Sequence, residues 1–343
     1  MKCARYVAGI IVCSCIASFA QTAATAVAET LLIRQQYTAA RTVLNNFIKT
    51  NPEDNKALYL LHAIEQTEIL DYESYLLKNE SFMRMSDSIN ARLEERLPRL
   101  SGTDSLECLF YIANVYGGKG VLLAKTGNWF AALKDAMTSV TMLKEVLRMD
   151  SAMIAANLGI GVFHYYLSKS FTWLPFVDAN SQKDGIIAIE KATCAPYPYC
   201  FAAKNSLCWI LIEKKDLRRA DSIAASVLMD MPENTIFLRI RCLLSLWNGK
   251  FQQAVTLGEQ LARLSQKRVP INWSDLVLAY YTIAQGNDGL GKGKEAMVAV
   301  NTVRSIKIPR EYKAIPPVKK NFRKINAIRK KYQTDEGKQG SEP

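Results

Sequence analysis

Apolar and small positions recur along this chain at helical spacing, and the pattern itself repeats. Phe251-Gln252-Gln253-Ala254 lies 34 residues after Leu217-Arg218-Arg219-Ala220. Each block has a bulky apolar residue three before an alanine and a polar turn ahead of it, Lys214-Lys215-Asp216 in one case and Asn248-Gly249-Lys250 in the other. The same signature stands at Tyr37 to Ala40 and at Trp129 to Ala132, and a weaker copy ends at Ala296. Twelve positions before these alanines come Ala28, Gly120, Cys208, Cys242 and Ala284, all small. Two small residues at that separation suit two antiparallel helices at their closest approach, where a larger side chain would hold the backbones apart. Pro52 and Pro232 follow the alanines by twelve residues and Pro309 follows by thirteen; proline stops a helix because it lacks an N–H and clashes with the preceding turn. Sustained polar–apolar alternation between Asn–Gly or Asp–Gly turns, the mark of strands, is missing. The pattern predicts an all-α chain of antiparallel helix pairs over 24–309, with Leu60–Arg99 as an elongated, irregular hairpin and Phe171–Gln182 as a turn-rich middle insertion.

The last periodic segment is different in kind. Val318, Phe322, Ile325, Ile328 and Tyr332 form one helical stripe, while Lys319, Lys320, Arg323, Lys324, Arg329, Lys330 and Lys331 occupy the other faces. A basic capping helix over 310–332 is predicted, closing the open end of the repeat array, followed by a disordered tail over 333–343. This segment also explains the charge. The chain carries a formal +12, and Lys307–Lys331 holds ten Lys or Arg against the single acid Glu311, which leaves the rest nearly neutral. Contact between this helix and an anionic membrane or envelope polymer is the second functional expectation.

The repeat spacing resembles the tetratricopeptide repeat, a 34-residue helix–turn–helix unit. Tyr37 to Asp54 (YTAARTVLNNFIKTNPED) and Leu217 to Asn234 (LRRADSIAASVLMDMPEN) look like its second helix and terminal proline turn. The resemblance covers four or five units, with the unit's early tryptophan, leucine and glycine only patchily present. A weaker resemblance, to domain-39-type tetratricopeptide proteins, lies in Leu158–Ala192, with its glycine-containing helix and Pro175-Phe176 insertion. The resemblance implies a right-handed helical-repeat solenoid whose first helices line a concave groove. Positions 15, 11 and 7 before each packing alanine would then face a protein or peptide partner: Asn205, Arg239 and Tyr281; Trp209, Leu243 and Gln285; Glu213 and Trp247. Aromatic and Arg side chains are the strongest anchors at protein interfaces.

The N-terminus changes the expected compartment. Lys2 and Arg5 precede the apolar stretch Tyr6–Ala20, and small residues at Ser18-Phe19-Ala20 and Ala26-Val27-Ala28 suit peptidase cleavage. Residues 1–20, or as far as 28, read as a signal peptide, so the protein is expected to be exported to the periplasm or cell envelope; Val12-Cys13-Ser14-Cys15 resembles a degenerate lipoprotein box, the alternative in which Cys15 carries a lipid anchor. Export permits disulfides. Cys194 and Cys200 bracket the proline-bent Ala195-Pro196-Tyr197-Pro198-Tyr199 and are the candidate pair, whereas Cys108, Cys208 and Cys242 read as buried thiols in helices.

Catalytic chemistry finds little material. The two histidines, His62 and His164, lie in apolar helical contexts and read as packed residues. Gly286-Asn287-Asp288-Gly289-Leu290-Gly291-Lys292 begins like a phosphate loop, but Gly293 stands where Ser or Thr should bind magnesium, and a helix precedes it. Glu73-Ser74-Tyr75 offers a glutamate as in lytic transglycosylases, without the flanking glycine and glutamine motifs of that family. No CxxC pair suggests a metal. No cofactor, metal or nucleic acid is expected, and the sequence favours a non-enzymatic protein-binding scaffold.

Overall fold

The computed structural model describes residues 23–170 and 181–339. The proposed signal peptide over 1–20 and most of the middle insertion therefore lie outside the described residues. Among those described, the regular structure is helical: α1 over 23–33, α2 Tyr37–Thr50, α3 Asn55–Asp71, α4 Tyr75–Arg96, a 3-10 turn Leu97–Arg99, α5 Gly102–Lys125, α6 Trp129–Met149, α7 Ala156–Ser170 and α8 Ser181–Ala192. There follow α9 Tyr199–Glu213, α10 Leu217–Asp230, α11 Thr235–Trp247, α12 Phe251–Lys267, α13 Trp273–Gly289, α14 Gly293–Ser305, a single turn α15 Arg310–Lys313, and α16 Pro316–Gln339. No described helix is long and apolar enough to cross a membrane.

The small residues meet where the spacing says they should. A Cβ added to Gly120 would stand 3.2 Å from the Ala132 carbonyl oxygen. The Cys208 thiol donates to the Ala220 carbonyl at 3.5 Å. Ala28, Ala40, Cys242, Ala254, Ala284 and Ala296 are fully buried. Among the described residues prolines stay out of α-helix interiors: Pro316 and Pro317 begin α16, where no backbone donor is required.

Among the described residues there are seven helix pairs, two more than the spacing of small residues reveals. In α7/α8 the close approach is between Gly161 and Gly185, where a Cβ on either would lie within 2.7 Å of the other's carbonyl oxygen. The inserted segment doubles their separation to 24 residues and hides the signature. In α3/α4, Gln66 and Lys78 stand where the small pair would be. A different feature marks this pair as a repeat. Gln35, Glu73, Gly127, Lys215, Gly249 and Gly291 all have positive φ, and each lies two residues before the second helix of its pair. The left-handed residue reverses the chain, at a cost of roughly 1–2 kcal/mol where it carries a Cβ, so Gln35, Glu73 and Lys215 hold this conformation against their own preference.

The chain forms two compact units, one of Met1–Glu68 with Lys78–Ala203 and the other of Ile69–Leu77 with Lys204–Pro343. In the first, α5, α6, α7 and α8 pack successively, and α5 also touches α7. In the second, α10 to α14 pack in succession, α11 touches α13, and α16 lies on α13 and α14. The capping helix differs in extent from the sequence expectation: its first predicted turn, Arg310–Lys313, is a separate piece, and α16 continues to Gln339, so the predicted disorder from 333 is replaced by helix over 333–339.

Candidate partner-binding face

The second unit contains every residue of the predicted partner-facing row, on α9, α11 and α13. The structure gives them different roles. Arg239 is the centre of a buried ionic cluster. Its Nε donates to Asp275 Oδ1 at 2.6 Å, and its Nη2 donates to Asp71 Oδ1 at 2.9 Å and to the Asp71 carbonyl at 2.6 Å. Arg268 donates to Asp71 Oδ2 at 2.7 Å and to Thr235 Oγ1 at 3.1 Å, and its guanidinium lies 4.7 Å from the Tyr72 ring centre. Glu73 stands 3.9 Å from Arg239. Asn272 completes the set: its amide donates to the Asp71 carbonyl and to Asp275 Oδ2, both at 3.1 Å, while its oxygen caps α13 by accepting from the Asp275 backbone N–H.

Two physical needs meet here. Asp71 is the last residue of α3, and terminal helix carbonyls lack intrahelical partners. Arg239 and Asn272 supply donors, and the Arg239 guanidinium places positive charge at the negative end of the helix dipole. The carboxylates of Asp71 and Asp275 are fully buried and tolerable only when paired. Burial pushes the Asp275 carboxyl upward against the pull of Arg239. Burial alone would lower the Arg239 pKa, but Asp275 and Asp71 outweigh it and keep the guanidinium charged. Arg239 is thus occupied internally, which its position in the sequence row does not reveal.

Tyr281 is also covered. It is 8% exposed, and Lys324 of α16 lies over its ring at 4.6 Å. Lys324 was expected on the anionic-facing surface; here it turns inward, and burial lowers its pKa. Gln285 donates to Asp288 at 3.4 Å. Asp288 in turn accepts from Lys331 at 2.6 Å and from the Tyr332 hydroxyl at 2.7 Å, fastening α16 to the end of α13. The phosphate-loop-like segment is therefore a helix end and turn: Gly291 carries the positive φ, and Gly289 and Gly293 admit the rings of Phe251 and Tyr332.

Asn205, Trp209 and Leu243 are half-buried, Glu213 is exposed, and Trp247 is 50% exposed. Trp209 and Leu243 occupy equivalent positions in successive first helices, and Trp247 follows Leu243 by one turn. Asn205 Oδ1 is buried without a hydrogen-bond partner. With half-buried Gln285, these are the residues of the row that still offer side-chain surface. A different exposed apolar patch lies outside the row: in the first unit Phe130, 91% exposed, and Met137 lie seven apart on α6, beside exposed Trp129.

Cys194 and Cys200 lie at the two ends of the predicted loop. Cys194 is exposed in a turn, whereas Cys200 sits in the first turn of α9 with its side chain buried, so the two face different surroundings. The helical cysteines are buried, with burial pushing the thiols up to about 11 at Cys108 and about 12 at Cys208. No group of His, Cys, Asp or Glu among the described residues is arranged to hold a metal.

The chain is similar to a chain of the APC/C hetero-tetramer Cut9–Hcn1, with a TM-score of 0.54 at 14% identity over 88% of this chain and 51% of that one. The fold is tetratricopeptide-like. This chain spans about half the length of that relative. Two further similar structures are the C-terminal part of a TPR repeat-containing protein from Cytophaga hutchinsonii, at 15% identity over 85% of this chain and 99% of that chain with a TM-score of 0.43, and a tetratricopeptide repeat protein from Parabacteroides merdae, at 12% identity over 89% and 98% with a TM-score of 0.39. No family model matches the sequence, and no curated protein matches it. The tetratricopeptide-like helix pairs account for the spacing of the packing alanines and for the left-handed turn residues.

Proposed function

We propose that this protein is a non-enzymatic scaffold of the cell envelope that holds a protein partner on the first-helix face of its second unit. The observation that carries this reading is the exposure of Trp247, with half-buried Trp209 and Leu243, on a face whose other large side chains are engaged within the unit. An exposed tryptophan on a rigid helix loses little freedom on association and brings a large apolar area to the contact. The envelope assignment is supported by Lys2, Arg5 and the apolar stretch Tyr6–Ala20. Arg239 is left out of the contact surface, because a partner would have to displace Asp71 and Asp275 to reach it.

The test is crosslinking and mass spectrometry on intact cells expressing the tagged native chain or Trp209→Ala/Trp247→Ala. A partner captured by the native chain should fall by 10-fold or more with the double variant, since truncating a central aromatic anchor typically costs about 2 kcal/mol or more. Equal capture by both forms would place the contact elsewhere.

A further inference from the structure

The outer face of α16 is a separate surface with its own chemistry. Its apolar stripe is consumed internally: Val318, Ile325 and Ile328 are buried, with Phe322 and Tyr332 half-buried beside them. What remains outside is cationic. Lys319, Arg323 and Lys330 are exposed at intervals of four and seven residues, so they lie on one side of the helix over about 16 Å, and exposed Lys320 adjoins them. Among the described residues no acid pairs with Lys319, Lys320 or Arg323. Exposed Lys307 and Lys313 extend the charge along the segment before the helix.

We propose that this face docks on the headgroups of an anionic lipid bilayer, by charge alone and without insertion. Protein interfaces are built around aromatic and apolar cores and are depleted in lysine. This face offers Ala327 and Asn326 between its cations and no exposed aromatic residue. It lacks what a folded protein partner would grip and what single-stranded nucleic acid would stack on. A planar array of headgroup charges requires no such anchor. Each Lys or Arg near an anionic membrane contributes about 1 kcal/mol of attraction that salt screens. Because the apolar stripe is held against α13 and α14, the helix has no free apolar face to bury in the acyl region, unlike an interfacial amphipathic helix.

The experiment is co-sedimentation of the full-length chain with phosphatidylglycerol–phosphatidylcholine vesicles and with pure phosphatidylcholine vesicles, at low and at physiological salt. The native chain should prefer the anionic vesicles and lose that preference as salt rises. Lys319→Glu/Lys320→Glu/Arg323→Glu should weaken anionic partitioning by on the order of 100-fold or more. Its melting curve should match the native one, because none of the three side chains is buried. If the reversed charges prevent folding, the three Gln replacements serve the same purpose with a smaller loss. Equal binding to both vesicle types, or undiminished anionic binding by the variants, overturns the proposal. So does tighter, variant-sensitive binding to duplex DNA at the same salt, which would make the face a nucleic-acid surface. Partner capture through Trp209 and Trp247 is a separate readout, so either proposal can fail alone.

Discussion

Two of the buried polar groups on helix α3, nine residues apart, have opposite surroundings. Asp71, in the second unit, accepts from Arg239, Arg268 and Asn272 through its carboxylate and its carbonyl. His62, in the first unit, is fully buried against Phe82, with ring centres 4.9 Å apart, and neither ring nitrogen has a hydrogen-bond partner. Gly118 leaves room for the imidazole, since a Cβ there would stand 2.6 Å from His62 Cε1. Burial and then the nearby Lys119 charge push the His62 pKa down to about 3. The lesson is that one helix solves burial in two ways. A charge is kept by surrounding it with opposite charge and donors, and a titratable ring is kept by leaving it neutral.

The comparison breaks most visibly at Arg239. Arg239→Met leaves two buried carboxylates short of their partner and should cost about 3–5 kcal/mol of stability. Denaturant unfolding at neutral pH measures it, and a loss below about 1 kcal/mol would show that the cluster is better hydrated than its geometry implies. Asn272→Ala removes both the cap of α13 and a donor to Asp71, with an expected cost of about 1–3 kcal/mol. A loss confined to the cap, near 1 kcal/mol, would assign the Asp71 contact no net value.

The smallest effect, and the one that sharpens the contrast, is at His62. Its folded pKa lies below its unfolded value near 6.5, so the unfolded chain binds the proton first and acid favours unfolding. The neutral ring's stability is fully present above pH 6.5 and is lost as pH falls from there toward about 3, approaching about 1.4 kcal/mol per pH unit. His62→Leu should flatten this part of the curve while leaving neutral stability equal or slightly higher. Parallel pH dependences for the two proteins between pH 6.5 and 5 would show that the acid sensitivity comes from other groups.

Much of the fold is readable where the chemistry is local. The packing of Cys208 on Ala220 depends on two small residues within one pair, and spacing alone reveals it. Gly161 and Gly185 obey the same physics but escape detection, because the connection between them is longer. The α3/α4 pair escapes because Gln66 and Lys78 replace the small residues, although Glu73 keeps the turn in register. The candidate face is less legible. Arg239 has the right position for partner contact, but its ligand Asp71 lies 168 residues away, and no local pattern records such a pairing. Sequence spacing puts Tyr281 and Lys324 on two different surfaces for the same reason: one covers the other only after α16 folds back.

The ionic cluster also sets an order on the birth of the protein. Asp71 and Asn272, whose carbonyl and amide meet in the finished unit, are separated by 201 residues. At a ribosomal pace of about 5–20 residues per second, Asp71 waits roughly 10–40 s before that partner has been translated. Arg239, 168 residues after Asp71, is the first of its partners to be made, and Arg268 and Asn272 follow. A nascent chain paused before Arg239 would therefore expose the corner Ile69–Leu77 to proteases and chaperones, and its protection would build in steps as α11, Arg268 and α13 emerge.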